Sequence, residues 1–303
     1  MPCPLIIGDM ADLHVSAVFG ELSIRDLAPL VLDAESLATT RWRRSINGIE
    51  VAVDGRWRSP TRGWLRRLAP AGYHIGMALG SLAAAEATAR LALIASLSET
   101  DIEWVTDYWS TIRAENKLVQ YRLALAEGVP VPTTCVVADP ADIDPALGDV
   151  IVMKPLGLGE FRDAGEPVAV HARLVERNDP VLTGLHVAPF IAQQRIIARK
   201  HLRVVTVGAR AWTAQLDARN LPLDWRRSAA AHTSWTPAAI PAVEAMAMVV
   251  ARSIRARFTS QDWIMDDDGK SWFIDGNPGG QWLFLPDEIA DPVTGAIADW
   301  LSA

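Results

Sequence analysis

The chain has 303 residues, 50% of them hydrophobic and 21% charged, which is enough apolar material for a large core and excludes global disorder. With 29 Lys and Arg against 36 Asp and Glu the net charge is −7, a balance that argues against a protein living on nucleic-acid phosphates. Its two cysteines, Cys3 and Cys135, cannot build a disulfide framework and read as reduced thiols of a cytoplasmic protein.

The first stretch, MPCPLIIGDMADLHV, has no basic start, and Asp9 and Asp12 interrupt any run that could serve as a signal peptide. Residues 13–19 and 30–32 are expected as short strands. Residues 41–63 are polar, rich in Trp and Arg, and expected to be irregular. An alanine-rich run that includes Glu86 and Arg90 predicts a buried helix over residues 77–98 rather than a membrane span. Together residues 1–112 read as a first module. Twelve tryptophans outnumber three tyrosines and six phenylalanines. Composition alone does not say whether they build a core, line a binding surface or follow from genome bias.

Residues 116–127 read as a helix with Leu118, Tyr121 and Leu125 on one face, capped by Gly128. Pro130 and Pro132 then force extended chain. Residues 133–137 and 149–154 follow as strands, separated by a Pro/Asp/Ala segment whose spacing fits a short helix. Gly157 and Gly159 make a small loop directly after the second strand. This order suits an α+β module over residues 113–188. In the remaining part, residues 189–303, the pattern predicts a strand over 191–197 and a hairpin of 202–207 and 211–216 around Gly208. A helix is expected over 240–257, with Val243, Met246, Val250 and Ile254 on one face.

The run SQDWIMDDDGKSWFIDGNPGGQW is the most informative in the chain. Residues 266–269 are turn residues between two β-type segments. With Met265 paired to Lys270, Asp262 lies opposite Phe273. Asp275 is then one pleat further along the same face, and Asn277 continues it. Two carboxylates and an amide oxygen so placed suit Mg²⁺, which takes one or two carboxylates plus substrate phosphates. The same pattern also reads as a solvated acidic hairpin; the adjoining N-P-G-G, where backbone can approach closely, favours a site.

Lys117, Lys154, Lys200 and Arg203 are the candidates for holding phosphate, although any one of them taken alone reads more simply as a solvated surface charge. There is no G-x-x-x-x-G-K-S/T loop and no G-x-G-x-x-G after a strand. The six histidines show no zinc spacing, and no G-x-S-x-G elbow is present. Cys135, inside an expected buried strand, reads as core.

Three segments carry a resemblance. AENKLVQYRLALAEGVPVPTT followed by VIVMKPLGLG resembles the central part of ATP-grasp ligases, RKHLRVVTVG resembles their K-x-L-R-V hairpin, and the carboxylate run resembles their metal-binding end. The ending N-P-x-G-Q-W, the D-W-R at 224–226 and the spaced tryptophans leading into A-E-N-K-L are similar to one branch. That branch is the microviridin-type peptide ligases, or graspetide synthetases, which macrocyclise ribosomal peptides. The resemblance covers most of 100–303. It implies an α/β (α+β) ATP-grasp fold: an N-terminal pre-ATP-grasp domain, a small central α+β domain and a C-terminal antiparallel-sheet domain.

The resemblance further implies ATP and Mg²⁺. Lys117, Lys154, Gln193 and Arg203 would hold the nucleotide, and Asp262, Asp275 and Asn277 the metal. Arg203, Arg226, Lys200 and His232 would serve the reaction or face the peptide. The implied partner is a ribosomal precursor peptide with leader and core. Neither nucleic acid nor membrane is expected as a partner, and a homodimer is compatible with these features. Asp275 stands where the family usually has Glu, and Gly276 and Gly279 replace bulkier residues. Two other readings stay open: a ligase joining an amino acid to a small acid or a protein terminus, and a degenerate fold that only binds peptide or nucleotide. The complete set of Lys154, Arg203, Asp262, Asp275 and Asn277 argues against the last.

Overall fold

The computed structural model describes residues 3–33, 41–45, 48–53, 55–66, 82–156, 160–163, 166–169, 171–187 and 189–303. Strands β1 (Pro4–Ile7), β2 (Leu30–Leu32), β6 (Arg62–Leu65) and β7 (Glu103–Trp104) make a parallel sheet in the order β2-β1-β6-β7. Helix α1 (Leu13–Ile24) crosses from β1 to β2, where a strand over 13–19 was expected. Asp12 caps it by accepting from His14 N, and Val15, Val18 and Leu22 are buried at helical spacing. A short apolar run fits both periods, so the cap decides.

The Arg/Trp-rich stretch is also more regular than its composition suggests. Strands β3 (Arg41–Ser45), β4 (Gly48–Val53) and β5 (Arg56–Arg58) form an antiparallel meander. Ile49 and Val51 face the core, while Arg43 pairs with Glu50 across the strands and stacks over Trp57. The alternation is hidden because Arg and Trp supply the outward face. Helix α2 (Leu82–Leu97) is the described part of the expected helix over 77–98, whose first residues lie outside the described ones. Ile94 and Leu97 in its last turns are buried and Leu82 is exposed, so it is only partly buried. Among the described residues no helix is long and apolar enough to cross a membrane.

Helices α3 (Tyr108–Glu115) and α4 (Lys117–Ala126) lead to a second sheet. It is formed by β8 (Thr134–Val137), β9 (Val150–Pro155), β12 (Arg173–Glu176) and β13 (Phe190–Gln194) in the order β12-β9-β13-β8. Between β8 and β9 two 3-10 turns replace the expected helix; Asp139 and Asp144 cap them and Pro140 and Pro145 open them. A proline every few residues removes the donors that a continuous helix needs. The hairpin β10 (Glu160–Asp163) and β11 (Glu166–Ala169) follows; Gly157 and Gly159 lie outside the described residues.

The largest sheet is antiparallel, in the order β16-β15-β14-β17-β18: β14 (Lys200–Val207), β15 (Arg210–Asp217), β16 (Thr236–Ala238), β17 (Phe258–Met265) and β18 (Ser271–Asn277). Leu202 and Val204 face α4 and α5 (Pro241–Ser253) in one core. Val205 and Val207 face α6 (Asp287–Ser302) in another, which also takes in Ile6, Val15, Val18, Leu22 and Trp64. The first parallel sheet and the last antiparallel sheet therefore share one hydrophobic core.

Candidate active site

The register of the carboxylate hairpin differs from the expected one. The connection is one residue longer: Asp266 N donates to Lys270 O at 3.0 Å, Lys270 N donates to Asp266 Oδ1 at 2.9 Å, and Gly269 takes a φ of +79°. Met265 thus pairs with Ser271, and Trp263 with Phe273. A bulge between Asp262 and Trp263 leaves Ile274 without a partner and brings Asp275 directly opposite Asp262, with Asn277 opposite Ser260.

Like charges directly opposite in a sheet repel, with Cβ atoms about 4.5–5.5 Å apart. Cations hold this pair together. Arg203 Nη1 donates to Asp262 Oδ1 at 2.5 Å, Arg226 Nη2 to Asp262 Oδ2 at 2.9 Å, and Lys117 Nζ to Asp275 Oδ1 at 2.6 Å. Burial pushes the Asp262 carboxyl up, but Arg203 and then Arg226 outweigh it and take its pKa down to about 2. Arg226 is raised in turn: burial opposes its charge, and Asp262 and Asp224 more than offset that.

Asp275 lies on an edge strand whose outer edge is covered by side chains from α4 and the chain after it. Buried Gln120 donates to Gly276 O at 2.8 Å and accepts from Gly276 N at 2.9 Å. Tyr121 donates its hydroxyl to the carbonyl of bulged Ile274 at 2.8 Å, and Phe273 N donates to Pro130 O at 2.9 Å. The carboxylate between Ile274 and Gly276 is thereby fixed in place. Asn116 caps α4, accepting from Leu118 N and Val119 N, so Lys117 is the first helical residue. A cation at a helix N-terminus opposes the macrodipole; here Asp275 offsets it.

The β12-β9-β13-β8 sheet contributes the opposing wall. Thr134, Gln193, Val152 and Leu174 lie in one row across it, and Val136, Ile191 and Lys154 in the next row of the same face. Lys154 Nζ donates to Gln193 Oε1 at 2.7 Å, and Gln193 Nε2 donates to Thr134 Oγ1 at 2.9 Å. Burial and then neighbouring Lys117 lower the Lys154 pKa to about 8, against the pull of Asp275 and Asp262. Lys154, Lys117, Asp275, Asp262 and Arg203 thus converge. Lys200 does not join them: three residues before Arg203, it points to the other face of β14 and donates to Gln215 Oε1 at 2.7 Å. His232 lies beside the D-W-R turn, its Nε2 3.1 Å from Arg226 O and its ring against Trp225.

Gln120 and His171 went unnoticed in the sequence, and Tyr121 and Thr134 were read there only as parts of a helix face and a strand. Asp224 did stand in a motif already singled out; it accepts from Arg226 N at 3.1 Å and pairs with His171 at 3.1 Å. His201, on the Arg203 face of β14, is lowered by burial, with Asp262 pulling the other way and Arg226 adding to the fall. A lone Gln or Tyr at a helical position has no signal of its own.

No protein-family model matches the chain, and no curated protein matches it in sequence. Solved structures match it along its whole length. A RiPP-associated ATP-grasp ligase from Chryseobacterium gregarium, solved with ADP and with leader and core peptides, superposes with a TM-score of 0.86 at 19% identity, over 100% of this chain and 97% of that one. The chain has the ATP-grasp fold. Macrocyclase MdnC from Microcystis aeruginosa, bound to its precursor peptide MdnA, is similar at a TM-score of 0.82, 19% identity and 99% of both chains. The ATP-grasp ligase PsnB, solved with a precursor variant, Mg and ADP, is similar at 0.76 and 19% identity, over 100% of this chain and 98% of that one.

On this ATP-grasp frame Asp262, Asp275 and Asn277 present hard oxygens on one strand face. Asn277 Oδ1 already accepts from Gly279 N at 2.8 Å and keeps a second lone pair. Among the described residues no three His, Cys, Asp or Glu side chains gather into a cage. The donor set fits an ion that completes its shell with phosphates and water, as Mg²⁺ does.

Proposed function

We propose that the chain is an ATP-dependent carboxylate ligase, forming ADP and phosphate, that crosslinks the side chains of a ribosomal precursor peptide in the cytoplasm. In this reading residues 1–112 are the N-terminal part, 113–188 the central lid and 189–303 the catalytic part. The observation that carries it is the carboxylate pair Asp262/Asp275, tied to Arg203 and Lys117, with Lys154 among its charged neighbours. It sits on the fold of ligases solved with ADP, Mg and precursor peptides.

Mg²⁺, held by Asp262, Asp275 and Asn277, would neutralise charge on the nucleotide phosphates. The chain's own residues supply the rest. Lys154 and Lys117 would bind phosphate oxygens, Lys117 leaving Asp275 to do so. Gln193, on the sheet face that also carries exposed Val136 and Leu174, would meet the adenine. Arg203 would stabilise the transferring phosphoryl group as a peptide Asp or Glu carboxylate attacks it, forming an acyl phosphate and ADP. A Ser or Thr hydroxyl, or a Lys amine, of the same peptide then attacks the acyl carbon and phosphate leaves, giving an ester or an amide. Exclusion of water favours this over hydrolysis. Arg226, exposed at the D-W-R turn, would face the acidic peptide, with His232 beside it. Lys200, on the opposite face of β14, would reach the peptide only from the far end of that strand.

Incubation with ATP, Mg²⁺ and an acidic precursor peptide encoded beside this chain, followed by mass spectrometry, tests the proposal. Loss of one water per crosslink, unchanged by thiol blocking, is expected. ADP formation with free amino acids and no peptide dehydration would overturn it.

A further inference from the structure

The backbone of the loop that follows β18, from Asn277 to Leu283, is bonded to a local side chain and to several from distant parts of the chain. Gly279 N donates to Asn277 Oδ1 at 2.8 Å. Arg66 Nη1 donates to the carbonyls of both Gly279 and Gly280, the latter at 3.2 Å. Gln281 O accepts from Ser260 Oγ at 3.1 Å and from Arg203 Nη2 at 3.4 Å. His14 Nε2 accepts from Trp282 N at 3.1 Å and lies 3.4 Å from Leu283 N. A Cβ on Gly280 would stand 2.5 Å from Ser260 Cβ, so the loop also lies as close to β17 as a glycine permits.

Arg66, which directly follows β6, and Asp12 and His14 at the start of α1 all come from the N-terminal part of the chain. Their side chains are 0%, 10% and 8% exposed. Asp12 accepts from Arg66 Nε at 3.1 Å and from His14 Nδ1 at 3.0 Å. Since His14 Nε2 accepts from backbone, Nδ1 carries the ring proton and donates it to Asp12. The 3.2 Å approach of Arg66 Nη2 to Nδ1 is then a packing contact. A buried ion pair adds little net stability compared with apolar residues of the same volume. What it supplies here is direction: two donors and one acceptor aimed at three consecutive peptide units.

We propose that Asp12, His14 and Arg66 are positioning residues for the carboxylate–amide site. They hold the N-P-G-G-Q-W loop so that Asn277 stays on the strand face of Asp262 and Asp275, and so that Gln281 O stays under Arg203. The proposal rests on the metal and nucleotide roles given above. It makes the N-terminal part of the chain a working part of the metal site.

The test compares the full chain with Arg66→Met, which keeps the side chain's length and removes its donors, with Arg66→Lys, and with His14→Gln, which keeps an acceptor. Amide hydrogen exchange over residues 279–283 is followed without ligands, and Mn²⁺ binding in the presence of ADP is followed by electron paramagnetic resonance. Arg66→Met is expected to speed exchange in this loop while the β14–β17 amides keep their protection. It should also weaken Mn²⁺ binding about tenfold, with ADP affinity in the absence of metal unchanged and partial recovery in Arg66→Lys. Should Arg66→Met not fold, His14→Gln is expected to show the same loop-confined change to a smaller degree. Unchanged loop exchange, or exchange that rises equally everywhere, would contradict the positioning role. A wild-type chain that binds no Mn²⁺ with ADP would instead contradict the functional reading, while the exchange data still decide the clamp.

Discussion

Asp262 and Asp275 face one another yet differ in what holds them, and the difference separates stability from chemistry. Asp262 is tied to Arg203, whose side chain is 7% exposed, so Asp262→Asn leaves a buried guanidinium without its carboxylate. A cost of about 3 kcal/mol is expected, read by urea unfolding. Asp275 is tied to Lys117, and both are 28% exposed, so Asp275→Asn is expected to cost below about 1 kcal/mol. Both changes are nevertheless expected to lower peptide-dependent ADP formation at least about a hundredfold. Full turnover in Asp275→Asn would remove it from the metal site. Lys154 gives a pH signature. In the proposed reading its charged form binds phosphate, and its pKa of about 8 means that the free protein loses this charge as pH rises through that value. ADP affinity is expected to fall about fivefold from pH 8 to pH 9 and to stay level in Lys154→Arg, by calorimetry. An affinity unchanged over that range in the unaltered chain would take Lys154 out of the phosphate site.

The edge strand β18 depends on α4 for what a neighbouring strand would otherwise supply. Gln120→Leu leaves the N–H and carbonyl of Gly276 unpaired in a buried setting, and a loss of about 2–4 kcal/mol is expected in denaturant unfolding. A change under about 1 kcal/mol would show that water replaces the glutamine. The elements most legible in the sequence were those with one clear period and one clear cap. Residues 116–127 were read almost to their ends because Gly128, which takes a φ of +75°, stops the helix, although of the face read there only Tyr121 is buried while Leu118 and Leu125 are exposed. The hairpin β14–β15 was read from Gly208, which takes a φ of +61°. The bulge at Ile274 was not legible, because a bulge depends on what packs on the strand, here Tyr121, and no local residue announces it. The same holds for α1 and for the β3–β5 meander. Their patterns fit more than one structure until tertiary burial chooses between them.

At the scale of the whole molecule the net charge of −7 says little about where the cations gather. Arg203, Lys117 and Lys154 meet at the facing carboxylates, while Lys200, equally attractive in sequence, lies across the sheet. The tryptophan surplus resolves in a similar way. Trp64, Trp263 and Trp282 are fully buried, Trp225 packs with Trp235 and Phe284, and Trp109 is exposed. Most of these are core, and Trp282 ties the N-terminal sheet to the loop beside the site through His14. All of these parts serve one claim: a peptide carboxylate attacks ATP, and the bond it then forms expels phosphate. The most direct measurement uses a precursor peptide whose Asp and Glu side chains carry oxygen-18, incubated with the chain, ATP and Mg²⁺. The released phosphate is expected to contain one labelled oxygen for each crosslink formed, because the attacking carboxylate oxygen leaves with it. Crosslinked peptide accompanied by unlabelled phosphate would contradict the account.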